Sequence, residues 1–218
     1  ALGLYLMDNM GFTTLFLCSA GSAVIALIIF LLLKVPRVEA VKKPLSFKAL
    51  IDRDALPASS VMLVFLLTFG ALENFLAKYA RDNSLPTGGI YFAIMSCMLL
   101  LVRITVGKVA DRKGEGLFVY SCNAAMFVAF LLLAFHPNTV AFILSAVLAG
   151  YGFGGLEPAL QSMAVHIAPP ERRGSANSTF LCAYDIGIGI GGGIAGLLIT
   201  CCGYSKMFVI ISLSNIAS

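Results

Sequence analysis

The 218-residue chain is 59% hydrophobic and 12% charged, with a net charge of +4 and a mean hydropathy of +0.94. Soluble domains carry roughly 25% charged residues, so a soluble fold would have to hide almost every helix face, and the composition points instead to an all-α, polytopic transmembrane helical bundle. The positive balance does not indicate nucleic acid, because the Lys and Arg residues fall in short stretches between apolar runs and form no single basic face.

Residues 1–7 read as the tail of a spanning helix and 8–11 (DNMG) as a turn, since Asn and Gly tolerate left-handed backbone. Residues 12–33 form a full span closed by Lys34. At residues 35–58 the composition shifts, with Lys34, Arg37, Lys42, Lys43, Lys48 and Arg53 falling together beside three prolines. Within this long polar connection Phe47, Leu50 and Ile51 follow Ser46 at helical spacing, which fits a short helix on the membrane surface and fits an ordered linker equally well.

Residues 59–80 make the next span and 81–87 a short polar loop, with Pro86 poised to start a helix. Two more spans, 88–106 and 117–135, flank GKVADRKGEG at 107–116. Asp, Lys or Arg at the centre of a membrane helix costs roughly +2.5 to +3.5 kcal/mol each, so this stretch is expected to be a tight loop at the membrane surface. His136-Pro137-Asn138 is a turn, 139–167 a long span ending in PPERR, and 174–200 a further span. After a connection at 201–205 the last run stops short of a full crossing, so both ends read as cut within helices and the chain as a fragment. No secretory leader is visible at the start.

The six cysteines (Cys18, Cys97, Cys122, Cys182, Cys201, Cys202) show no CxxC spacing and no paired His, so neither a metal site nor a disulfide framework is expected. Eleven of the fifteen Lys and Arg fall in the 35–58 connection with Lys34, in 107–116 and before Gly174. By the positive-inside rule those segments face the cytosol, of a plasma or inner membrane.

These residues resemble the major facilitator superfamily of secondary transporters. GKVADRKGEG is similar to its cytoplasmic signature between the second and third helices of each six-helix half, with Gly107, Asp111, Arg112 and Gly114 in matching places, although the usual second basic residue after Gly114 is missing. Residues 150–160 (GYGFGGLEPAL) and 169–192 (PPERRGSANSTFLCAYDIGIGIGG) resemble its sugar- and drug-efflux branches. The resemblance implies twelve helices in two halves. Residues 1–34 would then be the end of helix five and helix six, 35–58 the cytoplasmic linker, and 59–218 the C-terminal six-helix bundle with its last helix truncated. Arg103 stands where related exporters often carry Arg, and the N-terminal half of the same chain is the implied partner. For Asp111 the favoured role is conformational, its carboxylate bracing one half against the other.

Gly150-x-Gly152-x-x-Gly155 and Gly187-x-Gly189-x-x-Gly192 match the dinucleotide fingerprint, yet both lie in apolar runs with no preceding strand, so the expected use is close helix approach, as in Gly187-x-x-x-Gly191 and Gly192-x-x-x-Gly196. Glu73, Arg103, Glu157 and Asp185 fall inside spans, where ionisable groups are expected to face the bundle interior or a water-filled cavity. Glu73, Asn74, Glu157, Tyr184 and Asp185 are the candidates for substrate contact or proton coupling. For each carboxylate a purely structural pairing is the alternative. Arg103 is expected to snorkel or to pair with Asp111. Tyr79, Phe92, Tyr151, Phe153 and Tyr184 are candidate cavity aromatics, and His166 an interfacial residue. The expected function is proton-coupled efflux of a small organic molecule, multidrug or sugar-like, by alternating access, with lipid and protons as partners, no cofactor and no enzymatic motif such as HExxH or GxSxG. A channel or a non-transporting scaffold is the alternative.

Overall fold

The computed structural model describes residues 2–33, 51–113 and 115–217. They divide into two units, residues 1–45 and 46–218, each treated by itself. In the first, α1 (Leu2–Leu32) is interrupted at Gly11, whose φ of 80° and ψ of 170° no L-residue adopts cheaply. The expected turn at 8–11 is thus a helix break. Beyond it Met10–Leu32 is long and apolar enough to cross a bilayer. Lys34 and the expected surface helix at 46–51, Ile51 excepted, lie outside the described residues.

The second unit holds α2 (Leu56–Asp82), α3 (Gly88–Lys113), α4 (Glu115–Phe135), α5 (Thr139–Ile167), a 3-10 turn (Pro170–Arg172), α6 (Arg173–Ser212) and the short α7 (Ser214–Ala217). Pro57 in the first turn of α2 loses no needed hydrogen bond, so the helix begins at Leu56 and not at the expected Ser59. Asn138 caps α5, its side chain accepting the Ala141 N–H at 2.8 Å. A second break, at Gly203 (φ 77°, ψ 174°), divides α6 inside the connection expected at 201–205.

The expected ten-residue loop at 107–116 is corrected. Residues 107–113 complete α3 and 115–116 begin α4, leaving only Gly114, which lies outside the described residues. Charge marks where hydrocarbon ends, but Lys, Arg and Ala are good helix formers, so the helix runs on past the apolar stretch.

Packing follows the glycines. α2 and α6 share the largest contact in the unit, and α5 packs chiefly on α3 and α4. A Cβ built on Gly70 would stand 2.3 Å from the Ile188 carbonyl oxygen, and one on Gly191 2.3 Å from that of Leu67. Gly187 meets Leu63 in the same way at 2.8 Å. The two backbones therefore touch along about two turns of a seam that only hydrogen atoms fit. On α5 the glycines alternate: Gly150 and Gly154 press on Met95 and Leu99 of α3, while Gly152 and Gly155 press on Cys122 and Phe118 of α4. The first fingerprint look-alike thus serves helix contact at every glycine, and the second does so through Gly187 and Gly192.

Large side chains fill the rest. Phe208 lies edge-on to Tyr79 and Phe130, at centroid distances of 5.1 and 5.5 Å. Tyr91 is fully buried, its hydroxyl 2.9 Å from Ser145 Oγ. At the C-terminal end of α2 the Tyr204 hydroxyl donates to Asp82 at 3.1 Å.

Candidate functional site

Four helices, α2, α3, α5 and α6, bring the predicted ionisable residues together. Phe69 of α2 stacks on Phe153 of α5 (4.2 Å, 7°), and Phe153 leans on Tyr184 of α6 at 6.4 Å. Tyr184 precedes Gly187 and Ile188 by three and four residues, so it continues the seam row one turn back. Around it, within electrostatic reach, lie Glu157, Glu73, Asp185 and Arg103.

Arg103 of α3 forms an ion pair with Glu157 of α5, from Nη2 to Oε2, with the glutamate side chain 22% exposed. The sequence pointed instead to snorkelling or to Asp111, whose side chain lies outside the described residues, as do those of all of 106–115. Glu157 precedes Pro158, inside α5. Proline donates no N–H, which leaves the Gly154 carbonyl without its usual helical partner one turn below the pair. The site therefore combines a charge pair, a weakened helix turn and an aromatic wall.

Glu73 and Asp185 do not enter the interior of this unit, one of the two places where an intramembrane charge was expected, the other being a water-filled cavity; both are exposed. Asn74, also expected at the site, works on the seam: its Nδ2 donates to the Gly70 carbonyl at 2.8 Å and lies against Gly192. Tyr79 is corrected from cavity lining to core, because it is buried and its hydroxyl donates to the Leu133 carbonyl at 2.6 Å. Tyr151 faces α4, its hydroxyl 2.9 Å from Ser121 Oγ, and Phe92 packs edge-on to Tyr91. His166 is exposed in the last turn of α5. Among the described residues no cluster of metal-ligating side chains occurs.

A second polar cluster went unforeseen. Arg172, in the 3-10 turn between α5 and α6, reaches Asp52 Oδ2 at 3.1 Å and Asp54 Oδ2 at 2.6 Å. The Asp52 N–H donates to the Thr179 hydroxyl at 2.9 Å, and the Asp54 N–H to Asp52 Oδ1 at 2.9 Å. The PPERR stretch stood out in the sequence as positive charge and as part of the efflux-like resemblance, and its acidic partners lay in a lysine-rich connection.

Residues 58–218 match the sequence profile of the Major Facilitator Superfamily. The chain belongs to that family. Among its relatives, the MFS-type transporter YhhS of Escherichia coli strain K12 is 26% identical over 200 residues, covering 91% of this chain and 49% of the relative. The MFS-type transporter BMASAVP1_A0869 of Burkholderia mallei strain SAVP1 is 26% identical over 141 residues, covering 65% of this chain and 35% of the relative. The chain thus spans about half the length of YhhS and less of the second. A crystal structure of the nucleoside transporter NupG superposes with a TM-score of 0.71 at 19% identity, covering 99% of this chain and 61% of that one. That likeness supports the major-facilitator fold and is silent on substrate.

Proposed function

We propose that this chain is the C-terminal half, with the end of the N-terminal half, of a proton-coupled secondary transporter that exports small organic molecules by alternating access. In this reading residues 35–58 are the cytoplasmic linker, residues 59–218 the second bundle, and the site around Tyr184 faces the pathway that the first bundle completes. The observation that carries it is the Arg103–Glu157 pair beside a proline-weakened turn. Glu157 neutralised by a proton no longer holds Arg103, so protonation and the pairing of two helices are linked at one residue. The neighbouring carboxylates Glu73 and Asp185 supply further sites for a proton or a cationic group, and Phe69, Phe153 and Tyr184 a flat apolar surface for an organic ring.

The test is transport by the full-length protein in vesicles under an imposed pH gradient, following proton flux as candidate organic solutes are supplied. Glu157→Gln is expected to lose gradient-driven accumulation by at least about fivefold, the low end of allosteric coupling factors, while exchange without a gradient persists. Undiminished accumulation by Glu157→Gln would remove the assignment.

A further inference from the structure

The first turns of α2 and α6 near Arg172 line a groove, and from Leu63 and Gly187 onward the same helices touch backbone to backbone. The groove encloses about 600 Å³ and is lined chiefly by apolar atoms, with Ile51, Leu56, Pro57, Leu63, Thr179 and Cys182 in its wall. The connection that leads into α2 at Leu56 contributes Ile51 to that wall. Polar contacts tie the connection to the α5–α6 turn and to α6: the two ion pairs of Arg172 and the Asp52 N–H donated to Thr179.

The two sides of this tie differ in their access to water. The Asp52 side chain is 1% exposed and that of Arg172 47%. Arg172 can therefore swing into solvent by side-chain rotation alone. Asp52 cannot: a buried carboxylate stripped of its cation must reach water or bind a proton, and it reaches water only if the backbone at 51–55 moves with it. An event confined to one arginine is in this way converted into displacement of the groove wall, the kind of two-position contact from which switches are built.

We propose that Asp52, Asp54 and Arg172 form a latch that holds the connection at 51–55, with Ile51 at the edge of the groove, and on opening releases it to water, while the glycine seam beyond it stays shut. The latch goes beyond the carrier reading and survives its failure, because its test needs no transported compound.

Hydrogen exchange at the amides of 51–55 is followed in the full-length protein in lipid nanodiscs, with those of 63–74 as the control. Arg172→Gln is expected to speed exchange at 51–55 about tenfold by driving the stranded Asp52 to water, with 63–74 unchanged. Adding Asp52→Asn removes the stranded charge and returns the rate to within about twofold of the parent. An unchanged rate at 51–55 in Arg172→Gln would overturn the latch, as would a double variant as fast as the single one, which is the mark of mere structural support. If Arg172→Gln yields no folded protein, Arg172→Lys decides: one ammonium cannot fork across both carboxylates, so a faster rate supports the latch and an equal rate rejects it.

Discussion

The helices α2 and α6 are joined twice, by opposite chemistries. Along Leu63, Leu67 and Gly70 against Gly187, Ile188 and Gly191 there is no polar side chain, and the contact consists of backbone atoms with no room for a methyl group. Before the first turn of each helix the contact is ionic, with Arg172 between Asp52 and Asp54 beside an apolar groove. In hydrocarbon, apolar burial gives no drive for helices to associate, so close packing has to supply it. At the membrane edge, water can replace an ion pair, and the joint becomes reversible. Two helices can in this way move as one body in the membrane and still carry a movable part at one end.

The strongest way to break that comparison is to put an atom into the seam. A Cβ on Gly191 would lie 2.3 Å from the Leu67 carbonyl oxygen and 2.7 Å from its Cα, so backbone and not a flexible side chain would have to yield. Gly191→Val is expected to cost about 3 kcal/mol or more, the upper end for overpacking, and to be seen as early unfolding in detergent melts. A loss under about 1 kcal/mol, the range of a well-tolerated core swap, would mean the helices are not held by this contact.

Second in size is Arg172→Ala. It strands Asp52, and removing one partner of a fully buried pair costs about 3–5 kcal/mol. Arg172 is half exposed, so screening brings the expectation down to about 2 kcal/mol. Asp54, itself 43% exposed, should matter less: Asp54→Ala is expected to cost about 0.5 kcal/mol, as surface pairs do. Equal effects of the two substitutions in the same melts would show that burial of Asp52 is not what distinguishes this joint.

The sequence revealed the seam better than the latch, for a physical reason. A membrane helix is apolar towards lipid and towards its neighbours alike, so hydrophobic periodicity carries no signal, but glycine spacing does. The pairs Gly187 with Gly191 and Gly192 with Gly196 marked the contact face, and Gly192 and Gly196 indeed meet Asn74 and Phe75. The spans and the breaks at Gly11 and Gly203 were legible because apolar runs and turn residues are local. Ion pairing is not local. Arg103 and Glu157 stand 54 residues apart, and Arg172 and Asp54 118 apart. Nothing in the spacing could choose Glu157 over the nearer Asp111, or find an arginine's partners among the lysines of the connection. Tyr79 failed in the same way, since an aromatic inside a span gives no sign of which face it lies on.

The smallest effect sharpens the seam argument most, because it uses the same residue type on the same helix. Gly189 and Gly193 alternate with Gly187 and Gly191, yet a Cβ built on either meets nothing within 4 Å. Their side of α6 lies away from α2, as a period of 3.6 residues requires. Without a close approach to protect, glycine there only weakens the helix, by up to about 1 kcal/mol relative to alanine. Gly189→Ala and Gly193→Ala are each expected to leave the melting temperature unchanged or raise it by about one degree, the shift that a few tenths of a kcal/mol produces in a chain of this size. A fall as large as that of Gly191→Val would mean that glycine content, and not position against Leu63 and Leu67, is what α6 requires.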